Sequence, residues 1–328
     1  MTQKTPIKLL GFLFIFSLSL QAKYTNCHFK TKHYEDICQK VVKKGVSYEY
    51  ANTFLLSYYK TQFFDEISWK YLQPKYIKKH RENEKKANNT LVKYIPTMVA
   101  HLKKYQKVYD YAQKKYGVNK EIIAAILLKE TRLGKIKPKH DAFIVFNTIV
   151  TRIPTPKTSR EKWLLHMGEK NMVDIIAYCY EKKVKPYQCN LPSSYAGAVG
   201  IPQFMPSSFI YADSYKHKVP DLTTVEDAIV SVAKFLHKKA HFTQPIDFDK
   251  LPNLPKIESQ WYDFAFYHDN ASFVYEKGSR GQKYACFACG KKQLAYLANY
   301  VKKIMRYNNS SNYSIGVLRL AYDAHYRL

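Results

Sequence analysis

The chain has 328 residues, enough for one large or two moderate domains with a real core. Lys and Arg number 53 against 26 Asp and Glu, and the formal net charge of +27 excludes neutral surroundings in favour of polyanionic ones. The 29 tyrosines and 18 phenylalanines fill a core and, where exposed, stack on the apolar faces of sugars as they do on bases.

Residues 1–22 read as a secretory signal peptide: Lys4 and Lys8 precede an apolar run from Leu9 to Leu20, and Ala22 offers a small residue for cleavage. The run is too short to span a bilayer with margin, although an uncleaved N-terminal anchor is the competing reading. No cysteine follows it directly, and Cys27 stands too far downstream for a lipid anchor. Export points to the periplasm and makes anionic cell envelope a better partner for the charge than nucleic acid. Six cysteines follow the leader in three close pairs, Cys27 with Cys38, Cys179 with Cys189 and Cys286 with Cys289. In an oxidising compartment they read as disulfides; several connectivities are open, and the spacing favours the local set. Cys286-Phe287-Ala288-Cys289 has no second such motif or paired histidines, so no zinc is expected there.

Helical periodicity dominates the mature chain, with no strong run of alternating strands, and predicts a mainly α (α+β) fold. Residues 23–115 read as an N-terminal helical region, with helices near 35–60 and 88–116 and a basic stretch from Lys75 to Lys86 between them. Residues 116–242 form a second helical block. From Thr243 to Gly290 three prolines, Pro245, Pro252 and Pro255, run into a cluster of aromatics from Trp261 to Tyr275. Breakers mixed with aromatics predict an insertion, 243–290, of loops and a few short strands. Residues 291–328 return to helix over Gln293–Met305 and again from about Ser314, with Arg306–Tyr313 between.

Chemistry is concentrated in two segments. In the first, Asn119 is placed to cap a helix, Glu121 to complement its N-terminus and Gly134 to stop it. Ile123, Ile126 and Leu127 define an apolar face, and Glu130 lies seven, four and three residues beyond them, so a carboxylate ends an apolar stripe. Partial burial there raises its pKa toward what a general acid needs near neutral pH. Periodicity alone fits equally well an ion pair of Glu130 with Arg132 or another cation at the helix end. The second segment runs from Ser193 to Ser208. Its two glycines and Pro202 set a tight, irregular backbone that can turn backbone groups and the Gln203 amide toward a cleft, and Pro206-Ser207-Ser208 can open a helix.

Three motifs, Glu130-Thr131-Arg132-Leu133-Gly134, the run from Gly197 to Ser208, and Arg306-Tyr307-Asn308-Asn309-Ser310-Ser311-Asn312-Tyr313, stand in this order. Together they resemble the membrane-bound lytic murein transglycosylase B family over most of residues 30–328. The resemblance implies a lysozyme-like catalytic core at 116–242, completed by the C-terminal helices, and cleavage of peptidoglycan between N-acetylmuramic acid and N-acetylglucosamine. It implies one catalytic glutamate, Glu130, with Ser194 and Gln203 lining the cleft and Tyr307, Asn308 and Tyr313 holding the sugar. Glycan strands are the expected partner, the expected state is a monomer, and no cofactor is expected. Family members often carry a calcium-binding helix-loop-helix after the Pro-Ser-Ser helix. Here Asp213 and Asp227 stand at its ends, but Tyr215, Lys216 and Lys218 occupy the middle, so no metal is expected. Phe235 replaces a common cleft tyrosine, and Tyr76 is a candidate for the cleft aromatic of the N-terminal region.

Ordinary glycosidases use two carboxyl groups. With Glu130 as the one convincing carboxylate near these motifs, the expected reaction is transglycosylation to a 1,6-anhydro sugar. The alternatives are a muramidase of the same fold and a non-catalytic wall-binding scaffold.

Overall fold

The computed structural model describes residues 27–29, 31–59, 64–216, 219–261, 264–267, 272–275 and 292–328. Residues 1–22, where a signal peptide is expected, and the pair Cys286 and Cys289 lie outside them.

Helices carry most of the described chain. The single helix expected near 35–60 is two, α1 (Lys32–Lys43) and α2 (Tyr48–Tyr59), because the backbone turns at Gly45 with φ 89°. Asp65 then caps α3 (Glu66–Tyr71) by accepting from the Ser68 amide. The basic stretch expected to separate helices is itself helical. It opens on Pro74, where a missing N–H costs nothing, and forms α4 (Pro74–Val92). The helix expected over 88–116 is correspondingly broken into the end of α4, α5 (Ile95–Lys104) and α6 (Gln106–Tyr116), the last stopped by a left-handed Gly117.

The predicted helix at 119–134 is α7 (Lys120–Thr131), with two corrections at its ends. Asn119 does not cap it: its side chain exchanges hydrogen bonds with the Ile246 backbone, at 3.0 and 2.6 Å. Nor does Gly134 make the stop, since Arg132 and Leu133 have already entered the left-handed region, at φ 49° and 60°. Strand β1 (His140–Asp141) leads into α8 (Ala142–Arg152), capped by Asp141, and α9 (Ser159–Glu181) begins with a reciprocal cap between Thr158 and Glu161. β1 pairs antiparallel with β2 (Pro192–Ser193), His140 opposite Ser193. A six-residue 3₁₀ turn, Pro206–Tyr211, takes the place of the helix expected after Pro206, and α10 (Val225–Ala240) follows.

The proline- and aromatic-rich segment contains a helix that its composition hides, α11 (Leu254–Trp261), with Pro255 tolerated in the first turn. Strands β3 (Phe264–Tyr267) and β4 (Ser272–Tyr275) form an antiparallel pair. α12 (Lys292–Ile304) and α13 (Ser311–His325) close the chain.

Two apolar clusters organise these elements. One gathers α1, α2, α8 and α9 around Phe54, Phe143 and Phe146, and both described disulfides, Cys27–Cys38 and Cys179–Cys189, belong to it. The other surrounds α7, whose residues Ile122 to Leu128 are at most 1% exposed, with α5, α6, α10 and α13 packed around it. A fully buried Ile or Leu contributes about 1.5–3 kcal/mol, so α7 is anchored along its whole length. Its last turn emerges where α4, α13 and the Gly197–Phe204 turn converge.

Candidate active site

Glu130 occupies the last turn of α7, between Lys129 and the buried Thr131. Thr131 Oγ donates to the Ile201 carbonyl at 2.9 Å and accepts from the Gly134 amide at 3.1 Å. One hydroxyl thereby ties the end of α7, its left-handed exit and the irregular turn together. That turn is folded by short bridges, Ser193 with Val199 and Val199 with Phe204. Its glycines meet a double demand. Gly197 has φ 82° and a Cβ there would lie 2.3 Å from the Phe146 ring; Gly200 has φ 73° and a Cβ there would lie 2.6 Å from the Leu222 carbonyl.

From the other side α13 brings Tyr313. Ser310 caps this helix by accepting from the Tyr313 amide at 3.1 Å, which fixes Tyr313 in the first turn. Its hydroxyl donates to Glu130 Oε1 at 2.6 Å. Tyr307, just before the cap, donates to the Pro202 carbonyl and packs edge-on against Phe235 at 4.9 Å. Phe235 is 3% exposed and also meets Phe204 and Tyr211, forming an apolar backing for Tyr307.

These surroundings decide the charge of Glu130. Burial pushes its carboxyl up from 4.5 to about 7; the Tyr313 hydrogen bond and the nearby Lys129 charge oppose the rise, and Glu84 adds to it. A carboxyl balanced near neutrality can give a proton and take one back. Tyr313 and Tyr307 are pushed well above the ordinary tyrosine range, by burial first and by the Glu130 charge second, so both stay protonated donors. The ion pair with Arg132 that periodicity allowed does not form: Arg132 turns away, 5.1 Å from the centre of the Tyr94 ring.

The structure thus joins Glu130 and Tyr313 directly and links Tyr307 to the same place through Pro202. Gln203 follows in the turn in a left-handed conformation, φ 53°, and its amide donates back to the Gly200 carbonyl at 2.9 Å. Asn308 is exposed beside Tyr307. Ser194 belongs to the arm entering the turn, where its hydroxyl accepts from the Ala198 amide at 3.3 Å, and it makes no described contact with Glu130. Next to it Tyr195 meets Tyr71 at 5.3 Å, and Tyr71 meets Tyr76 at 5.3 Å. Tyr71 thus meets both Tyr76 and Tyr195, a chain of rings that sequence reasoning missed; only the density of tyrosines hinted at it. Also missed were Glu84 and Asn88 of α4, which bond Lys129 beside the catalytic candidate.

In the turn after the 3₁₀ segment both aspartates are held by protein donors. Asp213 accepts from Lys115 Nζ at 2.8 Å and from the Tyr116 hydroxyl. Burial works against its charge, yet these partners hold its carboxyl below the usual range. Asp227 accepts from the Ser214 hydroxyl and from the Tyr215 and Asp221 amides, at 2.9, 2.9 and 2.8 Å. The oxygens a hard cation would take are committed to protein donors.

A family model described as Transglycosylase SLT domain matches residues 30–322. The chain belongs to this family: it is a lytic transglycosylase with a mainly α, lysozyme-like fold. Similar solved structures include the Escherichia coli lytic transglycosylase Slt35 in complex with bulgecin A, 19% identical, with 91% of this chain and 94% of that one covered and a TM-score of 0.53. The Pseudomonas aeruginosa soluble lytic transglycosylase SltB1 is 22% identical, with coverage of 89% and 99% and a TM-score of 0.55. SltB3 of the same organism, in complex with NAG-anhNAM-pentapeptide, is 16% identical, with coverage of 88% and 77% and a TM-score of 0.53. No curated protein matches the chain.

Proposed function

We propose that the chain cleaves the bond between N-acetylmuramic acid and N-acetylglucosamine in peptidoglycan, leaving a 1,6-anhydro end, with Glu130 as its single acid and base. The observation that carries this is a carboxyl balanced at about 7 and bonded to Tyr313, with no carboxylate partner bonded to it among the described residues. Protonated Glu130 gives its proton to the glycosidic oxygen as the bond to C1 breaks. The carboxylate so formed takes the proton of the muramic C6 hydroxyl, whose oxygen closes onto C1. Atoms and protons balance without water, and Glu130 ends protonated. Tyr313 holds the carboxyl in place, and Tyr307, Asn308, Gln203 and Ser194 line the sugar path. The complexes of SltB3 with an anhydro-muropeptide and of Slt35 with bulgecin A support a glycan-binding cleft in this fold.

The wider setting belongs to the same proposal: export by residues 1–22, work in the periplasm as a monomer, and a division into 23–115, 116–242, the 243–290 insertion and 291–328. No helix among the described residues is long and apolar enough to cross a membrane.

The test compares the protein with Glu130→Gln on isolated peptidoglycan. Glutamine keeps the shape and lacks the transferable proton, so cleavage falls by about 10²–10⁴ while binding persists. A fall of less than about tenfold places the acid elsewhere. Binding by both proteins with cleavage by neither leaves only a wall-binding scaffold.

A further inference from the structure

An ammonium group is buried one residue from Glu130. The Lys129 side chain is only 3% exposed, and its Nζ lies 2.9 Å from Glu84 Oε1. It also donates to Asn88 Oδ1 and sits 4.8 Å from the centre of the Tyr313 ring. Asn88 is 1% exposed, and its amide nitrogen donates to the Asn312 carbonyl at 2.8 Å, in the first turn of α13. The fit leaves no slack, since a Cβ on Gly316 would lie 2.2 Å from Asn88 Oδ1. One residue of α4 therefore grips α13, which supplies Tyr313, and α7, which supplies Glu130.

Burying an ammonium costs several kcal/mol unless charge and hydrogen bonds offset it, and a hydrophobic side chain would serve packing as well or better. The placement therefore asks for a role besides stability. We propose that Lys129, braced by Glu84 and Asn88, is a positioning residue that holds Tyr313 against Glu130 and sets the pH range over which Glu130 can act. This rests on the reading of Glu130 as the general acid.

Among the described residues, the charged and titratable groups around Glu130 are few. Lys129 comes from its own helix, Glu84 from α4, Tyr313 from α13 and Tyr307 from the segment before it. Groups on the other helices packed against α7 are engaged elsewhere. His101 of α5 faces Tyr109 of α6, Tyr116 faces Asp213, Asp227 of α10 holds its own turn, and Arg319 of α13 pairs with Glu258 and Asp323. His325 of α13 faces Glu121 at the far end of α7.

The buried Lys129 and the partly exposed Glu84 act with opposite signs. Lys129 favours the carboxylate form of Glu130, and Glu84 disfavours it. Activity needs the protonated acid and is lost as pH rises through its pKa. Lys129→Met must therefore move the alkaline limb of the kcat/KM profile to higher pH, and Glu84→Gln must move it to lower pH, each by about one unit. The double variant brings the limb back toward the parent, and Lys129→Arg, which keeps the charge, leaves it within a few tenths.

The experiment measures these profiles on soluble glycan fragments with melting temperatures alongside. Limbs that stay in place, or move in the same direction for both single variants, in folded proteins overturn the proposal, because loss of packing lowers the rate without opposite displacements. If Lys129→Met does not fold, Glu84→Gln and Lys129→Arg still decide it: a limb unmoved in the first, or displaced in the second, is contrary. Failure of the underlying reading shows separately, as activity retained in Glu130→Gln.

Discussion

Two acidic side chains, each with a lysine close by, have their pKa values moved in opposite directions. Asp213 receives Lys115 directly, at 2.8 Å, together with a tyrosine hydroxyl, and its pKa is held down. Glu130 has Lys129 as its chain neighbour, but that ammonium is bonded to Glu84 and Asn88, so burial outweighs its pull and the pKa rises to about 7. The difference lies in whether the cation is spent on the carboxylate itself. Spent there, it makes a locked anion that donates nothing; spent elsewhere, it leaves an acid that can still exchange its proton.

The largest effect expected from disturbing this arrangement is on catalysis. Tyr313→Phe removes a hydrogen bond to the charged form of Glu130, a contact worth about 1.5–3 kcal/mol, so kcat/KM falls roughly ten- to a hundredfold. Because that bond lowers the Glu130 pKa, its loss moves the alkaline limb to higher pH. An unchanged limb in a folded variant would break the assignment of Tyr313 as the partner of the acid.

Stability gives the next effect. Glu130 has its folded pKa raised from 4.5 to about 7, so its contribution is fully present below 4.5 and is lost as pH rises toward 7. The loss amounts to about 3 kcal/mol, and glutamine does not suffer it. Glu130→Gln should gain on the parent in urea stability between pH 5 and 8, and a gap that stays constant would show an ordinary, solvated carboxylate. Asp213 behaves oppositely: with its folded pKa lowered from 3.8, its contribution is present above that value and lost as pH falls through the folded pKa. Lys115→Met should then cost roughly 1 kcal/mol near pH 7 and little in acid. The smallest effect is expected from calcium. With both aspartates engaged, millimolar calcium should leave the melting temperature within about 1 °C, whereas specific binding to the native state would raise it.

Much of this was legible beforehand because it is local. The apolar stripe of α7 ending at Glu130, the glycine-rich turn and the Tyr307–Tyr313 segment each carry their signal within a dozen residues. The N-terminal α-helices were harder. α4 is so charged that it reads as a solvated spacer, and the two residues that matter in it, Glu84 and Asn88, look like any others on a polar helix. Only the packing of α4 against α13 gives them a function. Asn119 shows the reverse case. Local preference predicts a cap, and a backbone segment 127 residues away takes the side chain instead. α11 escaped notice because Pro252 and Pro255 read as breakers, although a proline in the first helical turn breaks nothing.

In the proposed reaction Glu130 works alone, returning the proton balance through the sugar's own hydroxyl. A hydroxyl held beside C1 acts at an effective concentration of about 10⁵ M or more, which water at bulk concentration does not match. Digestion of peptidoglycan in ¹⁸O-labelled water, followed by mass spectrometry of the fragments, reads the outcome directly. If Glu130 works alone, the muropeptides are one water lighter than hydrolytic products and carry no label at C1. Reducing-end muramic acid carrying ¹⁸O as the main product would contradict it and would require a second carboxylate to activate water.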